Sequence, residues 1–240
     1  MRNKNMRSHV VVVVFLLLAG AFAPCLADED DGIKMSDMND SKGRQKLIDF
    51  STAQISVTPT DYRPYVIRGT LYAYEHKFAE AKADAKKAEG LKPDDSNTKS
   101  LLGLIAVLEG QYSDAIALYS AAIKLQPEKA DLYNNRGLAY NRLGKWPEAQ
   151  QDASQVIRLQ PDESSGYEAL AEVMYRYGRY ADCVKYCNEA LRRDSSDADA
   201  YYYRGLAYER AGNKNQGSLD KAKAVKLGYT GRVELKAPKY

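Results

Sequence analysis

Small and aromatic residues recur along the chain with a period of 34 residues. The period is clearest in four prolines, Pro59, Pro93, Pro127 and Pro161. Such self-similarity is typical of a repeat architecture. If each unit begins three residues after its proline, the chain divides into five predicted units, 62–95, 96–129, 130–163, 164–197 and 198–231.

Within a unit, the pattern predicts two helices joined by a tight turn. The seventeenth position is aromatic in four units and the twentieth is always small, as in Phe78 and Ala81. The eighth position is glycine or alanine: Gly69, Gly103, Gly137, Ala171 and Gly205. A helical glycine costs about 1 kcal/mol relative to alanine, so its recurrence predicts close approach of two helices. Between the halves, the predicted turn residues are His76, Gly110, Gly144, Gly178 and Gly212.

The period together with the small, aromatic and proline positions resembles the tetratricopeptide repeat. The resemblance implies an all-α fold, a right-handed α-solenoid of five helical hairpins with an N-terminal capping helix and about eleven helices. Residues 42–61 fit that capping helix as half a repeat. The fifth unit lacks the aromatic and the proline, and its polar second helix suits a terminal cap.

Two further positions change together from unit to unit. The seventh and twenty-third are arginine and aspartate in units one, three and five, and apolar in units two and four. We expect direct contact and three ion pairs, which would make the arginines structural and not ligand contacts. The predicted pairs are Arg68 with Asp84, Arg136 with Asp152, and Arg204 with Asp220.

The N-terminus has the composition of a secretory signal peptide. A basic start precedes an apolar stretch that ends before an acidic segment, which predicts cleavage after Ala27 and a secreted or periplasmic protein. The alternatives are an uncleaved anchor and a lipoprotein modified at Cys25, although the apolar stretch is short for a span. Residues 28–41 are predicted to be an acidic disordered leader, and 232–240 a short tail.

The remaining composition argues against several other functions. The signal peptide contains three of the 35 basic residues and none of the 32 acidic ones, so the mature chain is neutral and offers no case for nucleic acid. Cys183 and Cys187 are predicted to be buried thiols, and His76 a surface turn residue. No phosphate-binding loop or nucleophile elbow is present. We therefore predict no enzyme, catalytic residue, cofactor, metal site or membrane span in the mature chain.

In the family that the chain resembles, first helices line a concave face that binds peptides or partner helices. Carried over by position, this implies a groove made by Asn134, Asn141, Arg142, Glu168, Glu172, Tyr175, Arg176, Tyr202, Glu209 and Arg210. Apolar Val66, Thr70, Leu104 and Val107 would line its other end, and Tyr203 is a further surface candidate. Ordinary variable surface remains the alternative, and Glu168 with Glu172 has the spacing of a solvated acidic face.

The resemblance implies a scaffold or adaptor that binds a protein or peptide partner, and the signal favours the envelope of a Gram-negative bacterium. The lysines and asparagines that some relatives use to clamp a carboxylate are absent: the fifth and ninth positions include Val66, Leu138 and Glu168. The alternative function is self-association into a structural oligomer.

Overall fold

A computed structural model describes residues 41–229. The predicted signal peptide, most of the acidic leader and the tail at 232–240 lie outside the described residues. The unit boundaries remain a prediction, although helices can be assigned directly.

The described residues form eleven α-helices and no strand, which confirms the predicted all-α solenoid. They are α1 (Ser41–Val57), α2 (Arg63–Tyr74), α3 (Phe78–Leu91), α4 (Ser96–Leu108), α5 (Tyr112–Leu125), α6 (Ala130–Arg142), α7 (Trp146–Leu159), α8 (Ser165–Arg176), α9 (Tyr180–Arg193), α10 (Ala198–Arg210) and α11 (Lys214–Lys226). None of the helices between residues 41 and 229 combines the length and the apolar composition that a membrane span requires.

The buried core is distributed along the array, because each helix packs mainly against its neighbours in the chain. One cluster joins α2, α3 and α4 around Ile105, and a second joins α4, α5 and α6 around Tyr119. A third joins α7 to α10 around Met174. Each pair of helices therefore depends on the adjacent pair for part of its core.

The recurrent spacing of small residues corresponds to close helix contacts within the pairs. A Cβ atom added at Gly103 would lie 2.9 Å from the ring of Tyr119, and one added at Gly69 would lie 3.2 Å from Asp84 Cβ of α3. At the turns, Gly110 has φ 79° and His76 has φ 57°. These contacts confirm the reason predicted for the eighth-position glycines, and exposed His76 is the turn residue that was expected.

The three predicted ion pairs form with two hydrogen bonds each. Arg136 donates from Nε and Nη2 to the carboxylate of Asp152 at 2.9 and 2.7 Å. The pairs Arg68–Asp84 and Arg204–Asp220 have the same geometry. In addition, Nη1 of each arginine donates to a polar side chain of the helix before it, for example Ser120 Oγ at 2.9 Å. Each arginine thus joins three helices.

The two described cysteines lie on the buried face of α9. Cys183 and Cys187 are both fully buried, with their Sγ atoms 3.9 Å apart. A disulfide requires about 2.05 Å. The thiols therefore act as small core residues in the third cluster.

Candidate functional site

A cavity of about 290 Å³ lies among the first helices of successive pairs. It is walled mainly by α4, α6 and α8, and Tyr119 of α5 also lines it. Three predicted groove residues, Asn134, Asn141 and Glu172, line it together with the expected apolar Leu104 and Val107. Its further apolar lining comes from Tyr74, Leu108, Leu138, Ala169 and Val173.

Two amide groups in this cavity have an atom without a hydrogen-bond partner. Asn141 is only 6% exposed, and its Oδ1 accepts no hydrogen bond. Asn135 Nδ2 is buried and donates none. A buried polar atom left unpaired costs about 1–3 kcal/mol. The apolar wall therefore contains one unused acceptor and one unused donor.

The acidic residues of α8 are buried, so the expectation that Glu168 and Glu172 form a solvated face was wrong. Glu172 lines the cavity and accepts a hydrogen bond from Arg176 Nε at 3.0 Å. Burial lowers the pKa of Arg176, but interactions with Glu172 and Tyr203 together outweigh burial, so the net shift of the pKa is upward. Glu172 and Arg176, both predicted groove residues, therefore form an ion pair with each other.

Next to Glu172 along α8, a cluster of three acids lies between α8 and the start of α10. One carboxylate oxygen from each of Glu168, Asp197 and Asp199 lies within 4.8 Å of the others, and all three residues are buried. Asp197 is the N-cap of α10 and accepts a hydrogen bond from the Ala200 amide at 2.9 Å through Oδ1, and the Ser164 hydroxyl also donates to its carboxylate. Burial raises the pKa of Asp197 to about 6, and the nearby charge of Asp199 adds to this effect.

Among residues 41–229, these three acids form the group that would suit a hard cation, since carboxylate oxygens are the ligands that such ions prefer. The sequence gives little indication that these acids meet, because Glu168 lies on α8 and the two aspartates lie at the start of α10, two helices later. Only the stacking of one helix pair on the next brings them together.

The other predicted groove residues lie apart from the cavity. Tyr203 is buried against Cys183 and Met174, so it is a core residue and not surface. Tyr175 packs against it, and Tyr202 stacks on Tyr229 at 4.0 Å between ring centroids. Val66 and Thr70 are also buried and do not line the cavity.

The last three of the predicted set lie toward the ends of their helices. Glu209 accepts from Lys221 of α11 at 2.6 Å. Arg210 is exposed, and a hydrogen bond to Tyr175 raises its pKa. Arg142 is half-buried at the end of α6.

The sequence prediction missed Asn135, Leu138, Asp197 and Asp199 as site residues. Asn135 is adjacent to the predicted Asn134, and Leu138 lies one helical turn after it. A prediction that included more of the α6 surface would have contained both residues. The aspartates belong to the cap and first turn of α10, where aspartate is common for purely local reasons.

Comparisons with known proteins agree with the fold. A TPR repeat model matches residues 103–144, and a tetratricopeptide repeat model matches residues 134–197 and 169–222. Together these matches span residues 103–222, half of the chain. No curated protein matches the sequence.

Three solved structures illustrate the structural similarity. PilW, described as a widely conserved type IV pilus biogenesis factor, has a TM-score of 0.68 at 15% identity over 93% of this chain and 96% of its own. A tetratricopeptide repeat protein from Parabacteroides merdae has a TM-score of 0.63 at 16% identity over 90% and 80%. YrrB, described as having an unusual peptide-binding site, has a TM-score of 0.55 at 19% identity over 75% and 93%. The repeat matches and this shared architecture show that the chain belongs to the tetratricopeptide-repeat family.

Proposed function

We propose that this protein is a non-enzymatic scaffold that binds a peptide or partner protein through the groove formed by its first helices. The observation that carries the proposal is the apolar cavity containing the unused Asn135 Nδ2 and Asn141 Oδ1 atoms. A peptide bond offers one acceptor and one donor, which is the complementary set. The peptide-binding site named for YrrB supports the same class of function.

The proposed setting is the bacterial envelope, after cleavage of the signal peptide at Ala27. The basic start, short apolar stretch and acidic continuation support export. PilW, a pilus biogenesis factor, provides a structural analogy and nothing more specific. Mass spectrometry of the mature protein is expected to find an N-terminus at Asp28; an intact N-terminus would contradict the cleavage.

Site-specific photocross-linking tests the binding face. A photoreactive amino acid at Leu138, which lines the cavity, is compared with the same residue at exposed Glu89 on α3. We expect one partner to be captured from position 138 and not from 89, with the cross-link mapping to one continuous segment of that partner. The adduct should weaken in an Asn141→Ala background.

Equal capture from both positions, or capture only of the protein itself, would move the interface away from the groove. The predicted groove residues outside the cavity are tested alongside, as a Tyr175→Ala, Tyr202→Ala variant. Retained capture in that variant would restrict the interface to α4, α6 and α8.

Self-association is the second candidate function, and it has its own supporting observation. Leu219 and Val225 of α11 are each 65% exposed. Val225 occupies the same position in its unit as Ile123, which is buried against the following helix pair. Within the described residues, α11 therefore presents apolar surface on which a second copy could stack.

A further inference from the structure

The groove also contains an arginine without a partner in the described part of the chain. Arg142 ends α6, and within residues 41–229 it forms no hydrogen bond, ion pair or cation–π contact. We infer that Arg142 binds an aspartate or glutamate side chain of an extended peptide, about two residues from an apolar side chain in the cavity. The inference rests on the proposed function, and it specifies which peptides the same groove prefers.

The absence of a partner has a reason in the sequence. Arginine occupies the thirteenth position of units three, four and five, as Arg142, Arg176 and Arg210. A cation there is favourable locally, because the negative end of the helix dipole lies at the last turn. In unit four, Arg176 forms an ion pair with Glu172, one turn earlier. The residue one turn before Arg142 is Leu138, so unit three has the cation of this position without the acid.

Helix α6 places Arg142 beside the cavity. Asn141, its neighbour in the chain, lines the cavity, and so does Leu138, one turn earlier on the same side of the helix. Glu172 is the one acid among the described residues that line the cavity, and Arg176 balances its charge. The positive charge of half-buried Arg142 is therefore left for a carboxylate of the partner. Low-polarity surroundings strengthen such an ion pair relative to open water.

The cavity accepts the apolar side chain of the peptide. Its lining includes Leu104 and Val107. Transfer of a leucine or phenylalanine side chain from water to such a lining is the main favourable contribution that the cavity offers. The unpaired Nδ2 of Asn135 and Oδ1 of Asn141 then bind the main chain that carries this side chain. A charged side chain inside the cavity would stay unpaired among apolar groups, so the acid binds outside it, at Arg142.

The distance along α6 sets the spacing in the peptide. Leu138 lines the cavity, and Arg142 lies one helical turn beyond it, which is a rise of about 5.4 Å. An extended chain advances about 3.3 Å per residue. The acid therefore belongs about two residues from the apolar side chain.

A side-chain carboxylate is the anion that fits this place best. A guanidinium donates two parallel hydrogen bonds to a planar carboxylate, whereas phosphorylated residues are bound by clusters of arginines. Arg142 acts alone, because Arg176 on the next first helix is paired with Glu172. Helix α10 packs on α8 and continues the row of first helices past the cavity. A peptide that follows this row does not end at Arg142, which favours a side-chain carboxylate over a terminal one.

Selection from a display library of random internal peptides tests the inference on the purified protein. We expect the enriched peptides to combine one large apolar residue with an aspartate or glutamate about two or three residues away. The strongest peptide is then synthesised in three forms: unchanged, with the acid replaced by its amide, and with the acid replaced by lysine. The amide form is expected to bind about tenfold more weakly than the acid form.

Variants of Arg142 assign the acid to this residue. Arg142→Gln should weaken the acid form about tenfold and leave the amide form unchanged, because only the acid form loses an ion pair. Arg142→Glu should bind the lysine form more tightly than the acid form, a reversal that loss of folding could not produce. The matched control is Arg158→Gln on the exposed surface of α7, which should change neither affinity. Circular dichroism of each variant checks that the helices persist.

The outcomes separate this inference from the proposed function. Enriched peptides that share the apolar residue but show no acidic preference would overturn the inference and leave groove binding intact. Equal weakening of the acid and amide forms by Arg142→Gln would show a structural role for the arginine and overturn it as well. Tighter binding of a phosphorylated residue or of a free C-terminal carboxylate at this position would also overturn it. Failure to enrich any peptide would contradict groove binding itself.

Discussion

Single residues in this protein are constrained most tightly where two helices of a pair touch. Gly103 has the ring of Tyr119 within 3.1 Å of any added Cβ atom, and Tyr119 is itself fully buried. Gly90, near the end of α3, has no atom within 4 Å of the same position. The two helical glycines therefore have opposite roles, although their local sequences do not distinguish them.

Alanine substitution should separate these roles. Gly103→Ala is expected to reduce the free energy of unfolding by about 1–3 kcal/mol, because the ring must shift in a packed core. Gly90→Ala should instead raise it by up to about 1 kcal/mol, since alanine favours the helix. Urea denaturation monitored by circular dichroism measures both. Equal effects would show that the approach of α4 to Tyr119 is looser than described.

The raised pKa of Asp197 predicts how the free energy of unfolding depends on pH. Its pKa is raised from 3.8 to about 6, so the folded protein holds this proton more tightly than the unfolded chain does. The free energy of unfolding therefore falls as pH rises through this window, and the destabilisation is complete above about pH 6.

Asp197→Asn removes that dependence while keeping an acceptor for the Ala200 amide. As pH rises from about 4 to about 7, the stability of the variant relative to the unmodified protein should increase. The increase is at most about 3 kcal/mol, because the folded and unfolded pKa values differ by about two. Thermal unfolding at both pH values measures the gain, with exposed Asp162→Asn as the control. A constant difference across this range would contradict the assignment.

At the scale of the helix pair, the same contact is built in two chemically different ways. Units one, three and five use an arginine and an aspartate, whereas unit two uses Leu102 and Leu118 at the same positions. In the charged version, Asp152 is only 3% exposed, and its charge is balanced by Arg136. Either version satisfies the interface, but a mixture of the two would leave a buried charge unpaired.

A double-mutant cycle at α6 and α7 tests this equivalence. Arg136→Leu should cost about 3 kcal/mol or more of unfolding free energy, because Asp152 stays buried without its partner. Adding Asp152→Leu recreates the apolar pair and should restore most of the loss. The control is Arg192→Ala, whose solvent-exposed pair with Glu189 should leave the unfolding midpoint unchanged. Additive losses would mean that the pair is not coupled.

At the scale of the whole molecule, stacking determines both the groove and the exposed end. The cavity needs three successive first helices, and the acidic cluster needs two. The apolar surface on α11 is a consequence of the same stacking, since no further described helix covers Val225. Binding along the groove and association through the end can therefore be varied independently.

Sedimentation velocity over a wide concentration range tests association through α11. If the end drives self-association, the sedimentation coefficient should rise with concentration, and a Leu219→Lys, Val225→Lys variant should abolish the rise. The matched change of exposed Ala79→Lys on α3 should have no effect. A concentration-independent monomer would exclude the oligomer and leave the groove as the proposed interface.

Much of the fold follows from the repeat period, because one unit compares directly with the next. The glycine turns, the close contact at Gly103 and the Arg136–Asp152 pair were all predicted from positions that recur or change together. Each depends on contacts within a unit, for which the sequence contains several examples. The candidate site was predicted less well, as Tyr203 and Glu168 show.

The sequence by itself determined the helical repeat, the ion pairs and the general face on which a groove forms. Only the tertiary structure decided which side chains on that face are buried, paired or unused. Glu168 meets Asp197 and Asp199 through the stacking of consecutive helix pairs, and Tyr203 is covered by α9. These outcomes depend on the rotation and separation of neighbouring units, which arise from packing summed over many residues and leave no local pattern in the chain.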